Sequence, residues 1–171
     1  MDLNSYIRNI PDFPAPGIIF RDITPLLANA EAFNAAVEKI IEPFAGEKIQ
    51  KIAAIESRGF MFGTVAAIKM GVGFAPIRKK GKLPYKTDAE TYSLEYGEAC
   101  IEVHTDAFNK GERVLLMDDV LATGGTMAAA CRLVDRQGAI IAGVSFLCEL
   151  DFLNGRKLLP ESVPVHSVLR F

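Results

Sequence analysis

The sequence predicts an α/β fold with a mostly parallel sheet flanked by helices. Two observations carry that reading. Short apolar runs at residues 52–55, 74–77, 114–117 and 140–147 alternate with segments of helical period. Such alternation builds a parallel sheet. The run at 114–117 is also apolar without interruption, as in a strand covered by helices on both faces.

Taken in order, residues 2–10 read as a short helix. Residues 11–17 carry three prolines and read as a loop, because proline removes a donor and fixes φ. Residues 30–44 place Phe33, Val37, Ile40 and Ile41 at helical spacing. The strand at 52–55 is followed by a helix at 60–70 that ends at Gly71. The strand at 74–77 leads into residues 81–90, whose Gly, Pro and Lys content predicts a mobile loop. Residues 91–94 and 100–104 predict a hairpin joined near Tyr96-Gly97, an excursion from the main sheet. The strand at 114–117 ends in Asp118 and Asp119, and a helix at 126–136 stops at Gly138. Strands at 140–147 and 165–169 complete the set.

The 171 residues suit one domain, and 50% hydrophobic with 23% charged residues is an ordinary globular balance. A net charge of −2 argues against broad nucleic-acid binding. The positive charge is local: Arg78, Lys79, Lys80 and Lys82 lie close together. Cys100, Cys131 and Cys148 lack paired metal spacing and read as reduced thiols of a cytoplasmic protein. No basic stretch followed by an apolar run opens the sequence, and no apolar run approaches a membrane span.

The most informative segment is Val-Leu-Leu-Met-Asp-Asp-Val-Leu-Ala-Thr-Gly-Gly-Thr, residues 114–126. Two acids sit where a parallel strand should end, and ligands of open α/β sheets bind outside such ends. Ala122, Thr123, Gly124, Gly125 and Thr126 then offer backbone N–H groups at a helix N-terminus, an anion nest. Carboxylates beside a phosphate cradle suit a ribose 5-phosphate: the acids accept from the 2′- and 3′-hydroxyls and the loop holds the 5′-phosphate. No Gly-Lys-Ser/Thr follows, so this is not a nucleotide-triphosphate P-loop.

This segment resembles the motif with which the type I phosphoribosyltransferases bind 5-phosphoribosyl 1-pyrophosphate (PRPP). Four further segments resemble other elements of that family. Glu56-Ser57-Arg58-Gly59 resembles the pyrophosphate loop, where the family often has a cis peptide; the candidate bond here is Glu56–Ser57. A guanidinium such as Arg58 binds phosphate in a planar, bidentate way. Residues 78–84, Arg-Lys-Lys-Gly-Lys-Leu-Pro, resemble a basic run in which the arginine reaches the pyrophosphate across a dimer interface. The match assigns that place to Arg78 and a leaving-group role to Lys82. Residues 92–97, Tyr-Ser-Leu-Glu-Tyr-Gly, match an element that sets its Glu, here Glu95, near the purine imidazole as a proton-transfer group. Tyr96 is carried along by the same match.

Residues 13–22 resemble the adenine-specific N-terminal hood. Phe13 would stack on the purine, and Arg21 would set the segment. The backbone near Ile19 would offer a C=O to the exocyclic amine and an N–H to ring N1. Leu150 would pack on the other side of the base. Enzymes for 6-oxopurines carry a Lys on this strand, and residues 139–150 contain none.

The resemblance implies one phosphoribosyltransferase domain over 1–171, with a small N-terminal hood at about 1–30 and a flexible hairpin lid at about 79–99. It implies that adenine and PRPP give AMP and pyrophosphate in purine salvage. Mg²⁺ would be held mainly through the substrate's pyrophosphate, with no ligand directly from the protein. The partners would be these small molecules and a second copy in a homodimer, with no nucleic acid and no membrane. The alternatives are a phosphoribosyltransferase for another purine and a non-enzymatic PRPP-binding regulator.

Overall fold

The computed structural model describes residues 1–93 and 97–171. The chain divides into two compact units, Met1–Lys39 and Ile40–Phe171.

The first unit opens with a single 3-10 turn, Leu3–Tyr6, capped where the Asp2 carboxylate accepts from the Asn4 N–H at 3.0 Å. Strand β1 (Arg8–Pro11) then pairs antiparallel with β2 (Ile19–Asp22), Arg8 opposite Asp22 and Pro11 opposite Ile19. This corrects the expected helix over 2–10. Pro11 keeps the residue before it out of the helical region. Cross-strand partners then hold the extended form, with Arg8 paired to Asp22 at 3.0 Å and Arg21 donating to Asn9 Oδ1 at 2.5 Å. Helix α1 (Thr24–Ala28) has proline in its first turn, where the missing N–H costs nothing. Helix α2 (Ala30–Ile41) gives way to a 3-10 turn, Glu42–Phe44, because Pro43 cannot continue it.

The second unit is built on a seven-stranded sheet. Along the chain come β3 (Lys51–Ile55), α3 (Arg58–Met70), β4 (Gly73–Lys79), β5 (Thr87–Ser93) and β6 (Glu98–His104). They are followed by β7 (Arg113–Leu121), α4 (Gly125–Arg136), β8 (Ile140–Glu149) and β9 (Val165–Arg170). The spatial order is β5-β6-β4-β3-β7-β8-β9, with β4, β3, β7, β8 and β9 parallel. The β5–β6 hairpin joins one edge antiparallel, through Arg78 opposite Glu102. The expected loop over 81–90 is therefore shorter. Residues from Thr87 on pair with β6, and their exposure alternates along the strand, so cross-strand bonding overrides the polar composition.

Period-two alternation distributes the apolar side chains. Ala53, Ile55, Ala75, Ile77 and Leu116 share a core with Met127, Cys131 and Val134 of α4. Ile52 and Ala54 instead meet α3, which comes so close at Gly63 that a Cβ there would lie 2.6 Å from Ala54 Cβ. Each face of the central strands is thus covered by a helix, as the continuous apolar runs require.

The connections place the functional edge. The crossover through α3 carries β3 to β4 on one side, and the crossover through α4 carries β7 to β8 on the other. The chain therefore changes direction between β3 and β7, the point where open α/β sheets bind ligands. The β3–β7 ladder ends at Ala54 opposite Met117, while β3 stays paired to β4 as far as Ile55 opposite Ile77. A crevice opens there.

Candidate functional site

Asp118 and Asp119 stand at the mouth of that crevice. The strand does not end at Met117 as expected, since β7 stays paired to β8 through Asp118 opposite Phe146 and Leu121 opposite Glu149. The acids are set by a ladder on one side only, having left β3 on the other. Asp119 is only 5% exposed. Burial pushes the Asp118 carboxyl well above the usual carboxylate range, and the neighbouring charge of Asp119 pushes the same way. The Asp119 N–H, 2.9 Å from Asp118 Oδ1, and the Arg58 charge pull against them.

The loop after β7 is shaped by backbone. Gly124 takes a left-handed conformation, φ 87°, and begins α4 with no side-chain cap. The first N–H groups of the helix are therefore left to solvent or a ligand. Gly155, in the turn after β8, fixes the loop from behind. A Cβ on Gly155 would lie 2.2 Å from the Ala122 carbonyl oxygen, and one on Gly124 would lie 2.2 Å from the Gly155 carbonyl oxygen. Two backbones touch here, and only glycine permits it. A recess of about 60 Å³ lies beside the loop, lined by Asp118, Ala122, Thr123, Gly124, Thr126 and Phe146.

The turn carrying Gly155 is itself tied down. Arg156 donates to both oxygens of the buried Glu149, at 2.6 and 2.7 Å, and to the Val165 carbonyl at 2.8 Å. Burial alone would raise Glu149. The Arg156 and Ser167 hydrogen bonds and the charges of Arg156 and Arg170 outweigh it and hold the carboxyl below its ordinary range. Sequence reasoning missed Gly155 and the Glu149–Arg156 pair. The Asn154-Gly155 dipeptide is a turn signal, but nothing local says what the turn supports.

Across the crevice, the loop after β3 contains a cis bond at Glu56–Ser57, where the resemblance placed it. Ser57 begins α3 without a side-chain cap. Gly59 lets this helix start against β7, since a Cβ there would lie 2.9 Å from Asp118 Oδ1. Arg58 reaches over and pairs through Nε with Asp119. Arg78, at the end of β4, pairs through Nε with Glu56, and its Nη1 donates to the Lys82 carbonyl at 3.1 Å. Lys82 is exposed. Both predicted pyrophosphate arginines thus hold acids of their own chain.

Glu95 and Tyr96 lie outside the described residues. Phe13, Ile19 and Arg21 belong to the first unit. Phe13 is 51% exposed and meets Phe20 edge to face at 5.2 Å, so it is not core packing. Leu150 follows β8 directly, is half-buried, and donates its N–H to the Leu121 carbonyl at 2.9 Å. The three cysteines are free thiols, and burial pushes Cys131 up to about 12, which keeps it un-ionised and inert.

Comparison with known proteins agrees with this geometry. The phosphoribosyl transferase domain family matches residues 22–165. The adenine phosphoribosyltransferase of Dinoroseobacter shibae is 54% identical, over 99% of this chain and 95% of that protein. The crystal structure of adenine phosphoribosyltransferase from Rhodothermus marinus superposes with a TM-score of 0.94 at 54% identity, covering 99% of this chain and 96% of that one. The Saccharomyces cerevisiae enzyme, solved with an imino-altritol bisphosphate and adenine, gives a TM-score of 0.92 at 39% identity, covering 98% and 96%. The chain belongs to the phosphoribosyltransferase family, in its adenine phosphoribosyltransferase branch.

Proposed function

We propose that this chain transfers the 5-phosphoribosyl group of PRPP to adenine, giving AMP and pyrophosphate. The observation that carries the reading is the meeting, at one crevice, of two acids with an uncapped small-residue loop. Asp118 and Asp119 accept from the ribose hydroxyls. Ala122 to Thr126 holds the 5′-phosphate, far from the reacting carbon, and so positions that carbon. The purine N9 bonds to the anomeric carbon from the face opposite the leaving group, the bond to the pyrophosphate oxygen breaks, and N9 gives up its proton. Glu95 is assigned to that proton and Tyr96 to the substrate beside it.

The anomeric carbon carries positive charge as the bond loosens, and the ribose acids stabilise it. Ser57, Arg58, Arg78 and Lys82 receive the departing pyrophosphate. Mg²⁺ would come with the substrate's pyrophosphate, with no ligand directly from the protein, which suits an ion that keeps most of its waters, and it would supply charge neutralisation on the leaving group.

Phe13, Ile19, Arg21 and Leu150 are assigned to adenine. Pro11, the register partner of Ile19, has no N–H with which to occupy the Ile19 carbonyl. The backbone offers an acceptor to an amine, and a 6-oxopurine presents the reverse polarity. The single-domain organisation, cytoplasmic placement and homodimer belong to the same reading. Free thiols suit a reducing compartment. In the dimer Arg78 would exchange Glu56 for the other subunit's pyrophosphate.

The test is an assay with PRPP and adenine, hypoxanthine, guanine or xanthine, on a preparation whose mass is read by sedimentation. Adenine should be preferred at least ~100-fold in kcat/KM, the scale set by a mismatched buried polar edge, and the active species should be a dimer. Comparable values for adenine and hypoxanthine would sink the base assignment, and an active monomer would sink the dimer.

A further inference from the structure

We propose that Tyr92 is a positioning residue for the phosphate loop, holding the Thr126 hydroxyl ready to donate to a phosphate; this rests on the assignment of that loop to the 5′-phosphate. Two observations support it. Thr126 Oγ1 and the Tyr92 hydroxyl are 2.9 Å apart. The Tyr92 ring also lies against the start of α4, so close that a Cβ on Gly125 would be 3.2 Å from Tyr92 Cδ2. Gly125 has an ordinary φ, and the nearby ring gives a steric reason for glycine there.

Tyr92 is delivered by a hairpin clamped along α4. The Glu90 carboxylate takes both Arg132 and Arg136. Arg136 also donates to the Ala89 carbonyl at 2.9 Å, and Gln137 Nε2 to Asp88 Oδ2 at 2.7 Å. From Asp88 to Tyr92 the strand therefore follows the helix toward its N-terminus, and the last contact falls on a residue that lines the recess.

The chemistry gives the contact a direction. Each hydroxyl has one hydrogen and can accept as well. In the geometry found, either hydroxyl can donate to the other. A phosphate oxygen only accepts, so Thr126 must turn its hydrogen to a bound phosphate. Tyr92 then donates to Thr126, and the chain Tyr92, Thr126, phosphate runs one way, each bond polarising the next. Phenylalanine keeps the ring packing and cannot supply that hydrogen.

Ribose 5-phosphate affinity by calorimetry, together with the KM values for PRPP and adenine, tests this on Tyr92→Phe, Thr126→Val, the double variant and Thr123→Val. Tyr92→Phe should weaken ribose 5-phosphate and raise the PRPP KM about 5- to 10-fold, the scale of one hydrogen bond. The adenine KM should stay within about 2-fold, which a general loss of structure would not spare. In the double variant the two losses should not add, because both break one chain. Unchanged ribose 5-phosphate affinity in Tyr92→Phe, or full additivity, overturns the inference. If Thr123→Val binds ribose 5-phosphate as the parent does, the loop assignment fails and takes the inference with it. If Thr123→Val weakens binding and Tyr92→Phe does not, the inference alone fails.

Discussion

The two sides of the crevice are made differently. On the β7 side the loop from Ala122 to Gly125 owes its shape to backbone lying on backbone at Gly155, with no side chain to rearrange. On the β3 and β4 side the two arginines are long side chains, each already on an acid, Arg58 on Asp119 and Arg78 on Glu56. A backbone cradle is complete before its ligand arrives, and the cost of ordering it is met in folding. An arginine on a neighbouring acid must share or exchange that partner when an anion comes. The group that stays with the ribose throughout the proposed reaction meets the fixed side. The group that must leave meets the exchangeable one.

The comparison breaks most sharply at Gly155. Alanine there would set a Cβ 2.2 Å from the Ala122 oxygen, and the other close atoms, in Ala122 and Gly124, are also backbone. No rotamer change relieves such a clash. We expect Gly155→Ala to lower kcat/KM for PRPP by about 100-fold or more, the cost of misplacing a binding loop by about 1 Å. Overpacking should also cost about 1–3 kcal/mol of stability. Steady-state kinetics and thermal unfolding check both, and near-native PRPP kinetics would mean that the backbone contact does not set the loop.

A smaller effect is expected at Asp118, where the fixed side holds a group at odds with its surroundings. Its folded carboxyl is raised, so above the unfolded value of about 3.8 the native state binds more protons than the unfolded one. Stability therefore falls as pH rises through that window. Asp118→Asn removes the penalty and keeps an oxygen to accept the Asp119 N–H. The variant should unfold at a temperature similar to that of the parent near pH 3.5 and gain on it as pH increases, reaching about 0.5–2 kcal/mol at neutrality. It should also use PRPP less well while binding adenine normally. Equal stability at every pH would show that the acid carries no folding cost.

The parts of the fold and the site that are legible in the sequence share a cause. Apolar runs and their periods report burial, so the order of β3, α3, β4, β7, α4 and β8 could be read from local pattern. The acids and the small-residue loop stood out because they interrupt that pattern where a ligand would sit. Other parts depend on pairing between distant segments. The β1–β2 hairpin is held by Arg8 with Asp22, and β5 is a strand because it lies on β6. The continuation of β7 through both acids follows from β8 beside it. Gly155 and the Glu149–Arg156 pair act on a loop some thirty residues earlier in the chain, and Tyr92 acts on a residue thirty-four positions away. Such contacts leave no periodicity to read.

The division between a fixed and an exchangeable side is tested most directly by titrating ribose 5-phosphate and magnesium pyrophosphate separately into the parent, Gly155→Ala and Arg58→Ala. We expect Gly155→Ala to lose ribose 5-phosphate by at least ~10-fold and to keep pyrophosphate within about 3-fold. Arg58→Ala should do the reverse, losing pyrophosphate by about 10- to 100-fold, the scale of a charge-assisted hydrogen bond. Equal weakening of both ligands by either variant, or loss of ribose 5-phosphate on removing Arg58, would contradict the account.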